Sequence, residues 1–387
     1  MSDITGTTVA LLRRTIGWSV AAMVVAIAAA CDWTQNQSDA STPTPSGATP
    51  TASVAGYRVF EPGALIAGFP ADPLDMQSEL LIGYASDLAV DTRGNEIYVL
   101  DMFAKQVLSL DRDANLRAII GGPGGGPGEF ENPYSIEADP RGGVWVADLR
   151  LARMSRFDAD GHLLEELRVP EMVRGFAVLP DGAVLYRKFD GRGVSLTVQS
   201  GEDAVDLAGE LPPELAPDDF QSLWAEYDLE FAVVAHDTVV AFRNTDVRAY
   251  GAWRIALDIA AGRITDVEPV AFPAWLVNAV AADAEAVGRE GLSTQTIPFS
   301  RGVRMGLGGL WVAPASTAHL TLATTIPLSE GDSVSVVARW REPRASDCFG
   351  LDYALVGGRL VELCMNEVRV YGVQSAAPEL LPFAGPM

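Results

Sequence analysis

The sequence predicts an all-β fold: a ring of six four-stranded antiparallel sheets, closed by an N-terminal strand that joins the last sheet. Three observations predict it. Two segments, Leu88–Ile120 and Ile136–Val169, align at a spacing of 47 to 48 residues, setting Asp91 on Asp139, Asp101 on Asp148 and Asp111 on Asp158. Within each copy, short runs alternate apolar and polar residues with period two, divided by Gly, Asp and Asn. The last copy, "FGLDYALVGGRLVELCMNEVRVYGV", holds only three such runs, while "GALIAGFPADP" (Gly63–Pro73) near the front mimics "LRAIIGGPGGGP" at the end of the first copy.

Each element follows from these patterns. The clearest copy reads as four strands, "SIEAD", "GVWVAD", "RMSRFD" and "LLEELRV". A third copy is fainter, with Leu179-Pro180-Asp181-Gly182 forty residues beyond Asp139-Pro140-Arg141-Gly142. A four-stranded meander cannot bury both faces alone, so the copies must stack radially, and that is a six-bladed β-propeller. Val54 to Gly372 has room for about six blades of about fifty residues. The borrowed N-terminal strand closes the ring without an exposed edge. The predicted propeller spans residues 57–375, with a tail over 376–387.

The stretch "GGPGGGPGEFENPYSIEADPRGGVWVAD", followed by "FDADG" (Gly121–Gly161), resembles an NHL repeat, the unit of six-bladed propellers. Leu88–Ile120 resembles it less closely, and the remainder shares only the strand rhythm. The resemblance implies the propeller and no particular activity. Its glycines suggest a phosphate cradle at first sight. A phosphate loop, however, opens a helix and carries Lys-Ser or Lys-Thr. Here the chain runs through Glu129-Phe130 and Asn132-Pro133 into a strand, so the segment reads as a corner between blades.

The front of the chain is different material. Arg13 and Arg14 precede an apolar run from Ile16 to Ala30, about fifteen residues, short of the roughly twenty that span a bilayer. Residues 1–30 therefore read as an export signal. The ending Ala28-Ala29-Ala30-Cys31 resembles a bacterial lipobox, although leucine is usual where Ala28 stands. It admits lipidation of Cys31 or simple cleavage to a soluble periplasmic protein. Residues 31–56 are rich in Ser, Thr, Pro and Ala, lack core-forming residues and read as a disordered tether. Signal, lipid site and tether together predict a lipid-anchored, periplasm-facing domain. Cys348 and Cys364 flank a hairpin turning at Gly357-Gly358; they read as a candidate disulfide or as two buried thiols.

A net charge of −23 argues against nucleic acid or anionic lipid as a partner. In a four-stranded blade the first-to-second and third-to-fourth turns share one face, and the remaining connections share the other. The long insertions, Gly209–Glu230 and Phe272–Ser300, both fall on the latter, with expected helices at Pro217–Tyr227 and Asn278–Glu290. They bring Trp224, Tyr227 and Trp275 to the mouth of the channel. Phe103, Lys105, Arg150, Arg187, Lys188 and Arg192 are expected there too, in connections on the same face. Asp101 and Asp148, repeated between blades, read as structural hydrogen-bond acceptors rather than catalysts.

The expectation is a binding or scaffold module, acting as a monomer, for a peptide, protein or glycan. The alternative is a metal-dependent, calcium-type lactonase, esterase or lyase acting in the central channel, as in six-bladed enzymes that this architecture resembles. His162, His236 and His319 are too few and too dispersed for a zinc site, and no cofactor is predicted. A calcium site of carboxylates and amides needs no histidine and stays open.

Overall fold

Alternation in one short run shows how the blades form. Ile97 and Val99 pack into one apolar cluster, while Tyr98 and Leu100, pointing the other way, pack into a second. A strand apolar on both faces needs a sheet on either side, and the ring supplies both.

The computed structural model of the chain describes residues 58–70, 82–91, 95–170, 173–189, 194–213, 215, 228–244, 251–272, 300–306, 309–314, 320–326, 335–340, 352–356, 358–364 and 366–375. All of them fall in one compact unit, Pro50–Glu342 with Cys348–Met387. The expected signal, Cys31, the tether, both expected helices and the tail lie outside the described residues.

The first strand is β1 (Arg58–Phe69). Blade 1 is β2 (Ala85–Val90), β3 (Glu96–Asp101), β4 (Gln106–Asp111) and β5 (Leu116–Gly121). Blade 2 is β6 (Pro133–Ala138), β7 (Val144–Asp148), β8 (Arg153–Phe157) and β9 (Leu163–Arg168). Blade 3 is β10 (Phe176–Val178), β11 (Val184–Phe189), β12 (Val194–Ser200) and β13 (Asp203–Leu207). Blade 4 is β14 (Asp228–Ala235), β15 (Thr238–Asn244), β16 (Gly251–Asp258) and β17 (Arg263–Pro269). Blade 5 is β18 (Ser300–Gly306), β19 (Gly309–Pro314), β20 (Leu320–Ile326) and β21 (Ser335–Trp340). Blade 6 is β22 (Asp352–Val356), β23 (Arg359–Leu363) and β24 (Val368–Ser375), completed by β1.

The closure is explicit in the register: Leu65 lies opposite Tyr371, Ala67 opposite Val370 and Phe69 opposite Val368. The structure shifts the expected strand, which begins at Arg58 rather than Gly63 and ends at Phe69 rather than Pro73. The earlier residues have a second partner, because Arg58–Phe60 run parallel to Ser335–Val337 of β21. Blades 5 and 6 are thereby welded into one eight-stranded sheet. The first strand of each blade touches the first strand of the next, and β22 returns to β2.

Core clusters sit between blades. Leu88, Val99 and Leu108 of blade 1 pack against Val361, Val370 and Phe69 of blade 6. The other face of blade 1, with Tyr98 and Val107, meets Ile136, Val146 and Phe157 of blade 2. Trp145 and Met154 then meet Phe176 and Tyr186 of blade 3. Leu185 and Val198 of blade 3 meet Phe231 and Val239 of blade 4. Each fully buried side chain of this kind contributes about 1.5–3 kcal/mol.

The glycine-rich corner behaves as its sequence context predicts. Phe130 N–H donates to the Gly122 carbonyl (2.7 Å) and Gly124 N–H to the Phe130 carbonyl (3.0 Å). Arg153 donates to the carbonyls of Gly126 (2.6 Å) and Glu129 (2.5 Å), tying the corner to the third strand of blade 2. Cys364, fully buried just past β23, is disulfide-bonded, while its expected partner Cys348 lies outside the described residues.

Candidate ligand-binding mouth

Blades 1 and 2 end their second strands in the same device. The Asp101 carboxylate is fully buried and accepts four backbone N–H groups. One oxygen takes Gly83 (2.7 Å), at the entry to β2; the other takes Tyr84, Phe103 and Ala104 (3.1 Å each). In blade 2, Asp148 takes Glu131 (2.8 Å) and Asn132 (3.1 Å) at the entry to β6, and Arg150 and Leu151 (2.9 Å each) in the turn after β7. Each carboxylate therefore clamps a turn to the start of the innermost strand. The expected structural role of both aspartates is what the geometry shows.

The clamped turns place Phe103 and Arg150 at the same position, two residues beyond each aspartate. Phe103 is 62% exposed and stands against Tyr84, with ring centroids 5.4 Å apart. Gly83 lets it approach, since a Cβ there would lie 3.3 Å from the Phe103 Cβ. Arg150 is exposed and pairs with Glu131 at 2.6 Å. Lys105 closes the blade 1 turn at φ 54°, as Ala152 does in blade 2 at φ 49°. That left-handed conformation costs a non-glycine residue about 1 kcal/mol.

Two further residues lie at the mouth end of their strands in a conformation that alternation alone does not reveal. Register shifts between Ala85 and Asp87, and between Pro133 and Ser135, make Ser86 and Tyr134 bulge residues at the mouth end of β2 and β6. A bulge re-aims a side chain out of the pleat. The guanidinium of Arg174, just before β10, lies over the Tyr134 ring at 5.2 Å from its centroid. Such a contact is worth about 0.5–2 kcal/mol.

The other expected mouth residues are placed differently. Arg187 and Lys188 lie within β11, because that strand stays paired as far as Phe189 opposite Val194. Lys188 donates to Asp206 on β13 at 2.6 Å, and Thr197 donates to the same carboxylate. The hydrogen bonds from Lys188 and then Thr197 hold the Asp206 carboxyl below its ordinary value. Burial, with the Asp206 charge second, pushes the Tyr186 hydroxyl up to about 12. Arg192, Trp224, Tyr227 and Trp275 lie outside the described residues.

The opposite face is built of acidic turns. Asp111, Asp158 and Asp258 each accept a backbone N–H within the turn from third to fourth strand. Asp139, fully buried, ion-pairs with Arg141 (2.8 Å) and Arg156 (2.6 Å) and accepts the Trp145 indole N–H (3.0 Å). Arg141 reaches across to the Asp181 and Gly182 carbonyls of blade 3. His162 and His236 lie on this face, beside Asp158 and Asp181, and His319 is outside the described residues. Among the described residues, no group of three or more His, Cys, Asp or Glu side chains is placed to hold a metal ion.

A family profile described as a 6-bladed beta-propeller matches residues 73–199, from before β2 into β12. Among solved structures, a gluconolactonase from Xanthomonas campestris is similar at 12% identity over 80% of this chain and 98% of that one, with a TM-score of 0.46. Virginiamycin B lyase from Staphylococcus aureus is similar at 10% identity over 74% and 94%, with a TM-score of 0.44. These two likenesses bear on neither reaction nor ligand. A search of curated proteins returned no match. What the matched family and the strand order have in common is the six-bladed β-propeller.

Proposed function

We propose that this protein is an exported propeller, anchored through a lipid on Cys31, that binds a peptide, protein or glycan at the channel mouth. One observation carries the reading: an aromatic ring left 62% exposed on a turn fixed by a buried carboxylate. Exposed rings on rigid supports are contact surface whose ordering cost is already met. Arg150 on the next clamped turn, and the Tyr134–Arg174 stack, extend that surface across three blades. Export and anchoring draw their support from the Arg13–Cys31 segment and the residues behind it.

The test is a screen of the mature chain, beginning at Cys31, against peptide and glycan arrays, repeated with Phe103→Ala and Tyr134→Ala. The expected result is a ligand whose binding both variants weaken at least about tenfold, the size of one lost hot-spot contact, with an unchanged unfolding midpoint. Ligands held equally well by both variants would move the site elsewhere. Stoichiometric calcium in the purified chain would favour channel chemistry over binding at the mouth.

A further inference from the structure

We infer that the outer edge of β1, at the seam between blades 6 and 1, docks an extended segment of another protein, apolar and flanked by basic residues. This surface is separate from the mouth, and the inference does not rest on the mouth-binding reading.

Backbone pairing supplies the first argument. From Pro62 to Phe69, one edge of β1 is paired with β24. The other edge is paired with β21 only at Arg58–Phe60, and beyond that it faces no strand among the described residues. Alternate residues of such an edge direct N–H and C=O groups outward, and a second extended chain satisfies them in series. Every outer strand of a propeller has an edge of this kind, so the side chains decide which one is open. The others carry charge, with Arg117 in β5, Glu165 in β9, Asp206 in β13 and Asp266 in β17. Charges guard an edge against added strands. Over Gly63–Phe69, "GALIAGF", β1 has none.

Shape and charge narrow the occupant. Register shifts on either side of Leu65 leave Leu65 and Ile66 exposed in succession, 56% and 48%, where a regular strand would turn one of them inward. Alongside lies a cavity of about 510 Å³, lined by Leu65, Ile66 and Pro70 and, in the turn between β4 and β5, by Asp113. Glu367 and Arg369 also line it and pair with each other. That volume suits a short segment, whereas two folded proteins meet over about 1,600 Å². Asp113 stays 52% exposed beside Arg359, and the chain as a whole carries −23. Such a field attracts a basic segment and repels a second copy of this chain. Apolar side chains of the docked strand pack on Leu65 and Ile66, and a flanking cation meets Asp113.

Fluorescence anisotropy on the mature chain tests this with three labelled peptides: alternating Val and Thr flanked by Lys, the same core flanked by Glu, and the Lys-flanked peptide with proline at its centre. The Lys-flanked peptide should bind at least about tenfold more tightly than the other two, because glutamate meets like charge and proline cannot donate to the edge. Its binding should slow hydrogen exchange of the Leu65–Phe69 amides. Ile66→Lys should weaken it at least about tenfold. Leu164→Lys, at a position 51% exposed on the charged outer strand of blade 2, should leave it unchanged. Both substitutions should keep the denaturation midpoint. No binding of the Lys-flanked peptide would overturn the inference, as would equal binding of either other peptide or binding unmoved by Ile66→Lys. A dimer in sedimentation that Ile66→Lys dissociates would give the edge to a second copy instead. Binding that appears only once residues 376–387 are removed would give it to the chain's own tail, and either result would overturn the assignment to a partner.

Discussion

Asp148→Asn removes one charge and changes one atom, and its cost can be worked out group by group. The wild-type carboxylate satisfies four backbone N–H groups, two through each oxygen. Asparagine keeps one oxygen, which serves two of them. Its amide NH2 then faces the other two, donor against donor, at a side chain only 2% exposed. A buried donor without an acceptor costs about 1–3 kcal/mol, so two cost about 2–6 kcal/mol. That is a large share of the roughly 5–15 kcal/mol that holds a domain folded. Chemical denaturation of the mature chain measures it. Asp101→Asn should cost a similar amount, and the double variant the sum, because the two clamps share no partner. Asp160→Asn is the control: this carboxylate is 71% exposed and pairs with Arg117 at 3.4 Å, so its loss should cost below about 1 kcal/mol. A midpoint for Asp148→Asn no lower than that of Asp160→Asn would refute the clamp argument.

Other consequences are equally direct. A Cβ on Gly175 would lie 1.7 Å from the Leu229 carbonyl oxygen, so Gly175→Ala must push blades 3 and 4 apart; denaturation should show a loss of about 3 kcal/mol or more. Lys105→Gly should raise stability by up to about 1 kcal/mol by relieving the left-handed backbone, read as a higher denaturation midpoint. The Asp139 carboxyl is pushed up by burial, but hydrogen bonds from Arg141 and the charges of Arg156 and Arg141 outweigh this and hold it below its ordinary 3.8. A lowered folded value gives stability that is present above 3.8 and lost as the pH falls through the folded value. Denaturation midpoints of wild type and Asp139→Asn should therefore differ by a constant amount at neutral pH and converge below 3.8.

The repeat made the wheel readable because one turn chemistry recurs. Asp91, Asp111, Asp139 and Asp158 align between copies, and all four accept backbone N–H groups in short turns of one face. The missing fourth strand of blade 6 was equally legible, since Gly63–Phe69 copies the end of blade 1. Its extension to Arg58 was not, because parallel pairing with Ser335–Val337 depends on a partner some 277 positions further along the chain. Phe103 and Arg150 could be found as polar or aromatic departures within a repeated turn. Tyr134 could not: inside "ENPYSIEAD" it looks like one more strand residue, and only the register shift between Pro133 and Ser135 marks it as a bulge. Arg174 was hidden for a similar reason, since its ring partner lies forty residues earlier in another blade. Lys188 misled in the opposite sense, because a cation near a predicted turn proved to be tied to Asp206 on the outer strand.

The closed ring underlies every statement about the mouth, and hydrogen exchange of the mature chain tests it most directly. Backbone amides of Leu65, Ala67 and Phe69 should exchange as slowly as those of Val368, Val370 and Tyr371, which they face in β24. Exchange of β1 at the rate of an unstructured chain, with β24 protected, would open the wheel and contradict the account.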